Sequence, residues 1–216
     1  MQDTPDLRRR MIAAARTLTT SGLVRNTSGN LSHRVQDSFL VTPTGMPYER
    51  LVESDLVAMN WEGRPSGARL PSSEWRFHRD ILLARPEVLV VLHGHPPFAT
   101  AIACLRQGIP AFHYMVAKLG GADVRCAPYA TFGTEALSRH AVAALADRKG
   151  CLLANHGIIA VGGDLDEALA MAIELETLAE MYCRARQIGE PVLLDPEEMA
   201  LNVEKFRTYG RQPGDP

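Results

Sequence analysis

The stretch Val88-Leu-Val-Val-Leu-His-Gly-His95 decides how the rest of the chain is read. Five apolar residues in a row, three of them β-branched, run into His-Gly-His-Pro-Pro, the pattern of a buried strand that stops where two imidazoles appear. Side chains two apart on a strand leave the same face, so His93 and His95 can point at one spot. Neutral imidazoles aimed at a common point suit zinc and its first-row neighbours. The competing reading, one hydrogen-bonded core histidine and one surface histidine, gives way only if other parts of the chain supply further ligands.

The chain around this strand has the composition of an ordinary soluble globular protein. Its 216 residues, 46% hydrophobic and 22% charged, suffice for one α/β or α+β domain with a sizeable core. A net charge of -2, with no polybasic cluster apart from predicted helices, points to neither nucleic acid nor an anionic membrane. Arg8-Arg9-Arg10 before Met11 to Ala15 faintly resembles the start of a signal peptide, but Arg16 cuts the apolar run too early. Val88 to Leu105 lacks formal charge for about 18 residues, near the minimum for a membrane span, yet its His, Gly and Pro96-Pro97 fit a strand followed by a helix. Cys104, Cys126, Cys151 and Cys183 form no C-x-x-C pair and read as free thiols of a reducing compartment, so a cytoplasmic protein is expected.

Outward from the central strand, apolar spacing predicts a helix from Leu7 to Leu18 that stops at Ser21-Gly22. Asn26 to Asn30 is a cluster of turn residues before strands at Leu31 to Val35 and Phe39 to Thr42, and a donor-rich turn spans Pro43 to Pro47. Leu56 to Asn60 forms a third strand. Pro71-Ser-Ser-Glu-Trp75 opens a helix to about Ala84, with Ser73 as the expected N-cap and Glu74 in the first turn. Helices follow from Phe98 to Arg106 and from Thr134 to Asp147, with a strand at Val124 to Pro128 between them and Ile109 to Gly121 unassigned. Cys151 to Ala154 and Ile158 to Val161 are strands around Asn155-His156-Gly157, so another histidine stands at the end of a buried strand. Asp164 and Glu167 form a capping pair for a long helix whose Glu174, Glu176 and Glu180 are expected in solvent, and Asp195-Pro196 starts the last helix. No repeat or linker divides the chain, which is expected to be a single domain over residues 1–216.

His93, His95 and His156 with Glu74 make a set of three imidazoles and one carboxylate. Such a set fits zinc, with manganese or cobalt as possible substitutes, and a displaceable acid ligand leaves room for substrate. A metal with an open position polarises a carbonyl, and the released acid becomes a positioned base. The loops at Asn26 to Asn30, Pro43 to Pro47 and Pro71 to Ser73 hold Ser, Thr, Gly and Asn but neither Lys nor Arg, and can hold a phosphate through N–H and hydroxyl groups. Together these residues point to metal-assisted chemistry beside the carbonyl of a small phosphorylated substrate.

From about Leu7 to Tyr209 the chain resembles the class II aldolase/adducin family, in particular its bacterial L-fuculose-phosphate aldolases. The resemblance is carried by V-T-P-T-G-M-P-Y-E at Val41 to Glu49, L-P-S-S-E-W-R-F-H at Leu70 to His78, His93-x-His95, A-P-Y-A-T-F-G-T at Ala127 to Thr134, Asn155-His156-Gly157 and K-F-R-T-Y-G at Lys205 to Gly210. It implies an α/β fold with a central mixed, mainly antiparallel sheet flanked by helices on both faces, and a homotetramer with active sites between subunits. It implies that His93, His95 and His156 hold zinc, and that Glu74 ligates the metal at rest and leaves it to carry the C3 proton. Asn30, Thr44, Gly45, Ser72 and Ser73 match phosphate-contacting positions. Tyr114 matches a tyrosine that enters from the neighbouring subunit to exchange a proton with the aldehyde oxygen, and Phe132 and Tyr209 match residues at the aldehyde end.

The implied reaction is reversible retro-aldol cleavage of a ketose 1-phosphate to dihydroxyacetone phosphate and an aldehyde. L-fuculose 1-phosphate, 5-deoxyribulose 1-phosphate and 5-methylthioribulose 1-phosphate are the substrates weighed. Pro96-Pro97-Phe98 and Lys118 depart from the pattern of the fuculose enzymes and are expected to reshape the aldehyde pocket toward a deoxy or thioether tail, as met in nucleoside salvage. The alternatives inside the family are a methylthioribulose-1-phosphate dehydratase and a sugar-phosphate 4-epimerase, the latter less similar because it carries Asp where Glu74 stands. A non-catalytic adducin-like binding module is the remote alternative, disfavoured because all four metal-site residues are present.

Overall fold

The computed structural model describes residues 2–210 and 212. Eight strands form one sheet: β1 Asn30–Val35, β2 Ser38–Val41, β3 Val57–Met59, β4 Pro65–Ser66, β5 Val90–Gly94, β6 Cys126–Ala127, β7 Gly150–Leu153 and β8 Gly157–Gly162. Their order is β4-β3-β2-β1-β5-β8-β7-β6, and every pairing is antiparallel except that of β6 with β7. The sheet is therefore mixed and mainly antiparallel. Its central strand is β5, the end of the deciding stretch.

Helices cover both faces, which is why β5 reads as unbroken apolar sequence although its neighbours run antiparallel to it. Val90 and Leu92 face a core built with α1 (Pro5–Thr20), α3 (Pro97–Cys104), α5 (Leu165–Ile188) and α6 (Pro196–Phe206). Val91 faces a second core with Phe77, Ile81 and Leu82 of α2 (Trp75–Ala84) and Leu137 and Ala141 of α4 (Glu135–Ala144). By the two-residue period His93 leaves β5 on the α2 side. Four helices start on the side chains expected of capping residues: Thr4, Thr134, Asp164 and Asp195 each accept a backbone N–H three residues on.

Several expectations need correction. Ser73 is not the N-cap of α2. Glu74 holds that position without a capping bond, and the Ser72 hydroxyl accepts the Glu74 N–H at 3.2 Å. Glu176 is not in solvent, because α3 starts after Pro96, which has no capping side chain, and the half-buried Glu176 carboxylate takes the Phe98 and Ala99 N–H groups at 2.9 and 2.8 Å. The unassigned Ile109 to Gly121 contains a 3-10 turn over Tyr114–Leu119 that closes on Gly120 at φ 98°. Val124 to Pro128 pairs only at Cys126–Ala127, with Val124 bridging Ile109. Among the described residues no helix is long and apolar enough to cross a membrane.

Candidate metal centre and active site

His93 and His95 come from the end of β5, His156 from the tight turn joining β7 to β8, and Glu74 from the start of α2. Glycine makes the convergence possible at two places. A Cβ on Gly94 would meet the Leu23 carbonyl oxygen at 2.5 Å, and one on Gly157 would meet the Gly94 carbonyl oxygen at 2.4 Å and His95 Cδ2 at 2.5 Å. The His-Gly-His and Asn-His-Gly sequences thus let β5 and the β7–β8 turn touch. The turn itself depends on Asn155 at φ 54°, a left-handed conformation that asparagine tolerates better than most residues. The Asn155 side chain accepts from Arg106 Nε at 2.8 Å.

The three rings face one another with centroids 4.7, 4.8 and 5.1 Å apart, and their candidate ligand atoms lie within 4.8 Å of one another. The Ile158 carbonyl can only accept, so His93 Nδ1, 2.8 Å away, carries a proton and Nε2 is the ring atom that faces the centre. Glu74 closes the group. Its Oε2 stands 3.2 Å from His93 Nε2 and its Oε1 3.3 Å from His156 Nε2. Two ligands about 2.0–2.1 Å from a tetrahedral zinc would be about 3.4 Å apart, close to both spacings.

Glu74 Oε1, His93 Nε2 and His95 Nε2 are buried without a hydrogen-bond partner, a costly arrangement that a cation between them would relieve. Burial pushes His95 down to about 4, with the charge of His93 next and then that of His156. Burial and then His93 push His156 down to about 4, so both rings are neutral at neutral pH and can donate lone pairs. Burial alone would raise Glu74, but His93, His156 and the Asn30 N–H outweigh it and hold the carboxylate well below its usual range. Burial likewise opposes protonation of His93, and the Glu74 carboxylate outweighs it and raises that group. The residues present fit a divalent cation with borderline-soft preferences.

A cavity of about 290 Å³ opens onto the centre, lined by Ser73, Glu74, His95, Tyr129, Ala130, Phe132, Asn155 and His156. The other expected site residues divide. Asn30 lies beneath Glu74 and donates to its Oε2 at 2.9 Å. Ser72 is buried beside Glu74, and the Pro43 loop with Thr44 and Gly45 is tied to it through Ser72 N–H to the Thr42 carbonyl and Thr44 N–H to that of Leu70. Tyr114 and Tyr209 do not line this cavity. Tyr114 is 48% exposed and stacks on Phe206, which in turn touches Tyr209 edge-on. Tyr209 lines a separate cavity of about 420 Å³ with Lys118 and Phe206.

Neither Lys118 nor Pro96 to Phe98, the positions that depart from the fuculose pattern, lines this cavity. Lys118 pairs with Glu174 at 3.0 Å beside that other cavity, and Pro96 to Phe98 form the start of α3 instead of a pocket wall. The apolar wall is made by Tyr129 and Phe132, both exposed. Of these only Phe132 was expected; Tyr129 stands three residues before it in the same Ala127 to Thr134 motif, the signal that could have found it. His78 and Ser32, buried behind Glu74, were not expected at all.

An α/β fold whose sheet and α2 N-cap residue bring three imidazoles and a carboxylate to an open cavity has the makings of a metal-dependent enzyme. The profile of the Class II Aldolase and Adducin N-terminal domain matches residues 9–183, and the chain belongs to that family. It is 54% identical over 204 residues, 94% of this chain and 92% of the relative, to a 5-methylthioribulose-1-phosphate/5-deoxyribulose-1-phosphate aldolase of Rhodospirillum rubrum. It is 47% identical over 205 residues, 94% and 95% of the two chains, to the L-fuculose phosphate aldolase of Escherichia coli. A solved structure of an L-fuculose 1-phosphate aldolase superposes with a TM-score of 0.92 at 40% identity, covering 95% of this chain and 98% of the other.

Proposed function

We propose that the chain is a metal-dependent aldolase, a lyase that reversibly cleaves a ketose 1-phosphate into dihydroxyacetone phosphate and an aldehyde. The observation that carries this is Glu74, a buried carboxylate beside His93 and His156 whose Oε1, together with His93 Nε2 and His95 Nε2, has no hydrogen-bond partner. His93, His95, His156 and Glu74 would hold Zn2+, with Mn2+ or Co2+ as substitutes, and the cation would supply a Lewis acid that withdraws charge from a carbonyl oxygen. Glu74 carries the proton at the carbon next to that carbonyl, within reach of the cavity it lines. Asn30, Thr44, Gly45, Ser72 and Ser73 hold the phosphate through N–H and hydroxyl groups, consistent with the tethering of the Pro43 loop to Ser72.

Tyr114 exchanges the proton of the aldehyde oxygen in a second copy of the chain. Its exposure outside its own cavity, together with that of Tyr209, supports a homotetramer with shared active sites. Tyr129 and Phe132 favour an apolar tail, so 5-methylthioribulose or 5-deoxyribulose 1-phosphate is the preferred substrate and a cytoplasmic role in nucleoside salvage follows. Free cysteines fit that compartment.

Incubating the metal-loaded protein with each ketose phosphate tests the reading. Release of dihydroxyacetone phosphate, with kcat/KM for the deoxy or thioether substrate at least equal to that for L-fuculose 1-phosphate, is expected. A strong preference for fuculose phosphate defeats the tail assignment, and an intact carbon chain in the product makes the protein a dehydratase or epimerase. Glu74→Gln should abolish solvent-proton exchange into dihydroxyacetone phosphate, and Tyr114→Phe should spare that exchange while slowing cleavage.

A further inference from the structure

Behind Glu74, on the side away from the cavity, Ser32 and His78 are both 0% exposed. A buried polar pair is less favourable than apolar residues of the same shape unless every group is satisfied, so its presence between two hydrophobic layers calls for a reason. The pair does not stand alone. Ser32 Oγ is 2.7 Å from His78 Nδ1, His78 Nε2 is 2.5 Å from Asn30 Oδ1, and Asn30 Nδ2 is 2.9 Å from Glu74 Oε2.

The direction of this chain is dictated from its acidic end. A carboxylate only accepts, so Asn30 must turn its NH2 to Glu74 and its carbonyl to His78. His78 Nε2 must then carry the proton and donate, Nδ1 must accept, and the Ser32 hydroxyl donates to it. Local geometry makes the alignment: Glu74 and His78 are four apart at the start of α2 and so share a face, while Asn30 and Ser32 are two apart on β1 and so share the face toward α2. The four side chains interleave as a zigzag between helix and sheet. Phe77, stacked on the His78 ring at 4.6 Å, limits its movement.

We propose that His78 is a positioning residue: with Ser32 it locks the Asn30 amide so that its N–H faces Glu74 Oε2, anchoring that oxygen and leaving the unpartnered Oε1 as the one that takes and returns the proton. With His78 in the other neutral tautomer, Nε2 would accept, Asn30 would turn its NH2 away, and its carbonyl would oppose the carboxylate. The inference rests on the reading of Glu74 as the proton carrier.

Two measurements test it. Nitrogen-15 NMR of the imidazoles in the zinc-loaded protein should find His78 neutral and protonated at Nε2; the Nδ1–H tautomer overturns the inference. In the metal-loaded protein, His78→Phe keeps the ring stack and removes the donor, whereas His78→Gln restores an N–H. For His78→Phe the kcat of solvent-proton exchange into dihydroxyacetone phosphate should fall about 10–100-fold with metal stoichiometry unchanged, and His78→Gln should recover much of the rate. An unchanged exchange rate, or a rise in KM alone, overturns the inference. Should His78→Phe not fold, Ser32→Ala, which strips the partner from Nδ1, takes its place with the same expected split and the same overturning result. Loss of exchange in Glu74→Gln without loss in the His78 variants removes only the present inference. Normal exchange in Glu74→Gln removes the proton-carrier reading itself.

Discussion

Gly157→Ala isolates the claim that close backbone approach assembles the metal centre. The added Cβ would stand 2.4 Å from the Gly94 carbonyl oxygen and 2.5 Å from His95 Cδ2, whereas ordinary contact begins at 3.4 Å, a shortfall of about 1 Å at each. Gly157 has no positive φ, so the backbone itself accepts alanine and the effect is steric. The Gly94 carbonyl belongs to the β5–β8 register, where Gly94 opposes Ile158, and it moves only with the strand. Either the strand pair opens or the His95 ring retreats, and both spread the three imidazoles. Overpacking of this kind costs about 1–3 kcal/mol, which for a chain of this size lowers Tm by about 2–12 °C. A ligand displaced by about 1 Å should weaken metal binding about 10–100-fold and slow the reaction about 100-fold. Chelator competition for zinc and thermal melting of the metal-free protein give the two readings, with Gly189→Ala, whose Cβ meets nothing within 4 Å, as the neutral control. Wild-type zinc affinity in Gly157→Ala refutes the reasoning even if Tm falls, because the strain would then sit in the strand pairing alone.

Three other outcomes are expected. Burial, with the charge of His93 next, pushes His78 from 6.5 down to about 3, so the unfolded chain takes up a proton there first. The stability contributed by its neutral form is complete above pH 6.5 and is lost as pH falls toward 3, by up to about 1.36 kcal/mol per pH unit; His78→Gln should flatten the pH dependence of the urea midpoint of the metal-free protein between pH 6.5 and 5, and parallel curves would refute it. Glu176→Gln should cost about 0.5–2 kcal/mol in denaturant titration through the α3 amides it caps, with zinc binding unaltered, and an unchanged midpoint would contradict the capping role. Asn155→Val, which forces a β-branched side chain to φ 54°, should destabilise by about 1–3 kcal/mol more than Asn155→Gly; equal melting of the two would show that the left-handed turn carries no strain.

The elements legible in the sequence are those whose signal is local. β5 follows from Val88 to Leu92, α5 from Asp164, Glu167 and a stripe that the structure buries at Leu165, Ala168, Ala172, Leu175 and Ala179, and three imidazoles at strand ends suffice to propose a cation. What escapes is decided across space. Glu176 looks like any first-choice solvent residue until α3, 78 residues earlier, begins on prolines that cannot cap it. Pro96 to Phe98 stand next to His95 in sequence yet turn away from the cavity, while Tyr129 and Ala130, from the segment after β6, form its wall. His78 carries no sign of its partners, because Ser32 and Asn30 come to it only when β1 docks beneath α2.

That docking also explains why the four residues proposed to hold the cation are not equivalent. His93 is fully buried, fixed at Nδ1 by Ile158 and met edge-on by Phe77 at 5.4 Å, and Glu74 comes from the beginning of the helix that carries Phe77. The distance between acid and ring is thus set by the hydrophobic layer of Phe77, Ile81 and Leu82 against Val91. His95 and His156 lie beyond the strand ends at the cavity rim, and their places depend on two glycines and one left-handed asparagine. Core packing therefore governs the acid and its nearest ring, and turn geometry governs the two rings that line the cavity. A substitution in the α2 layer should disturb proton transfer together with stability, whereas one in the β7–β8 turn should register first in metal affinity.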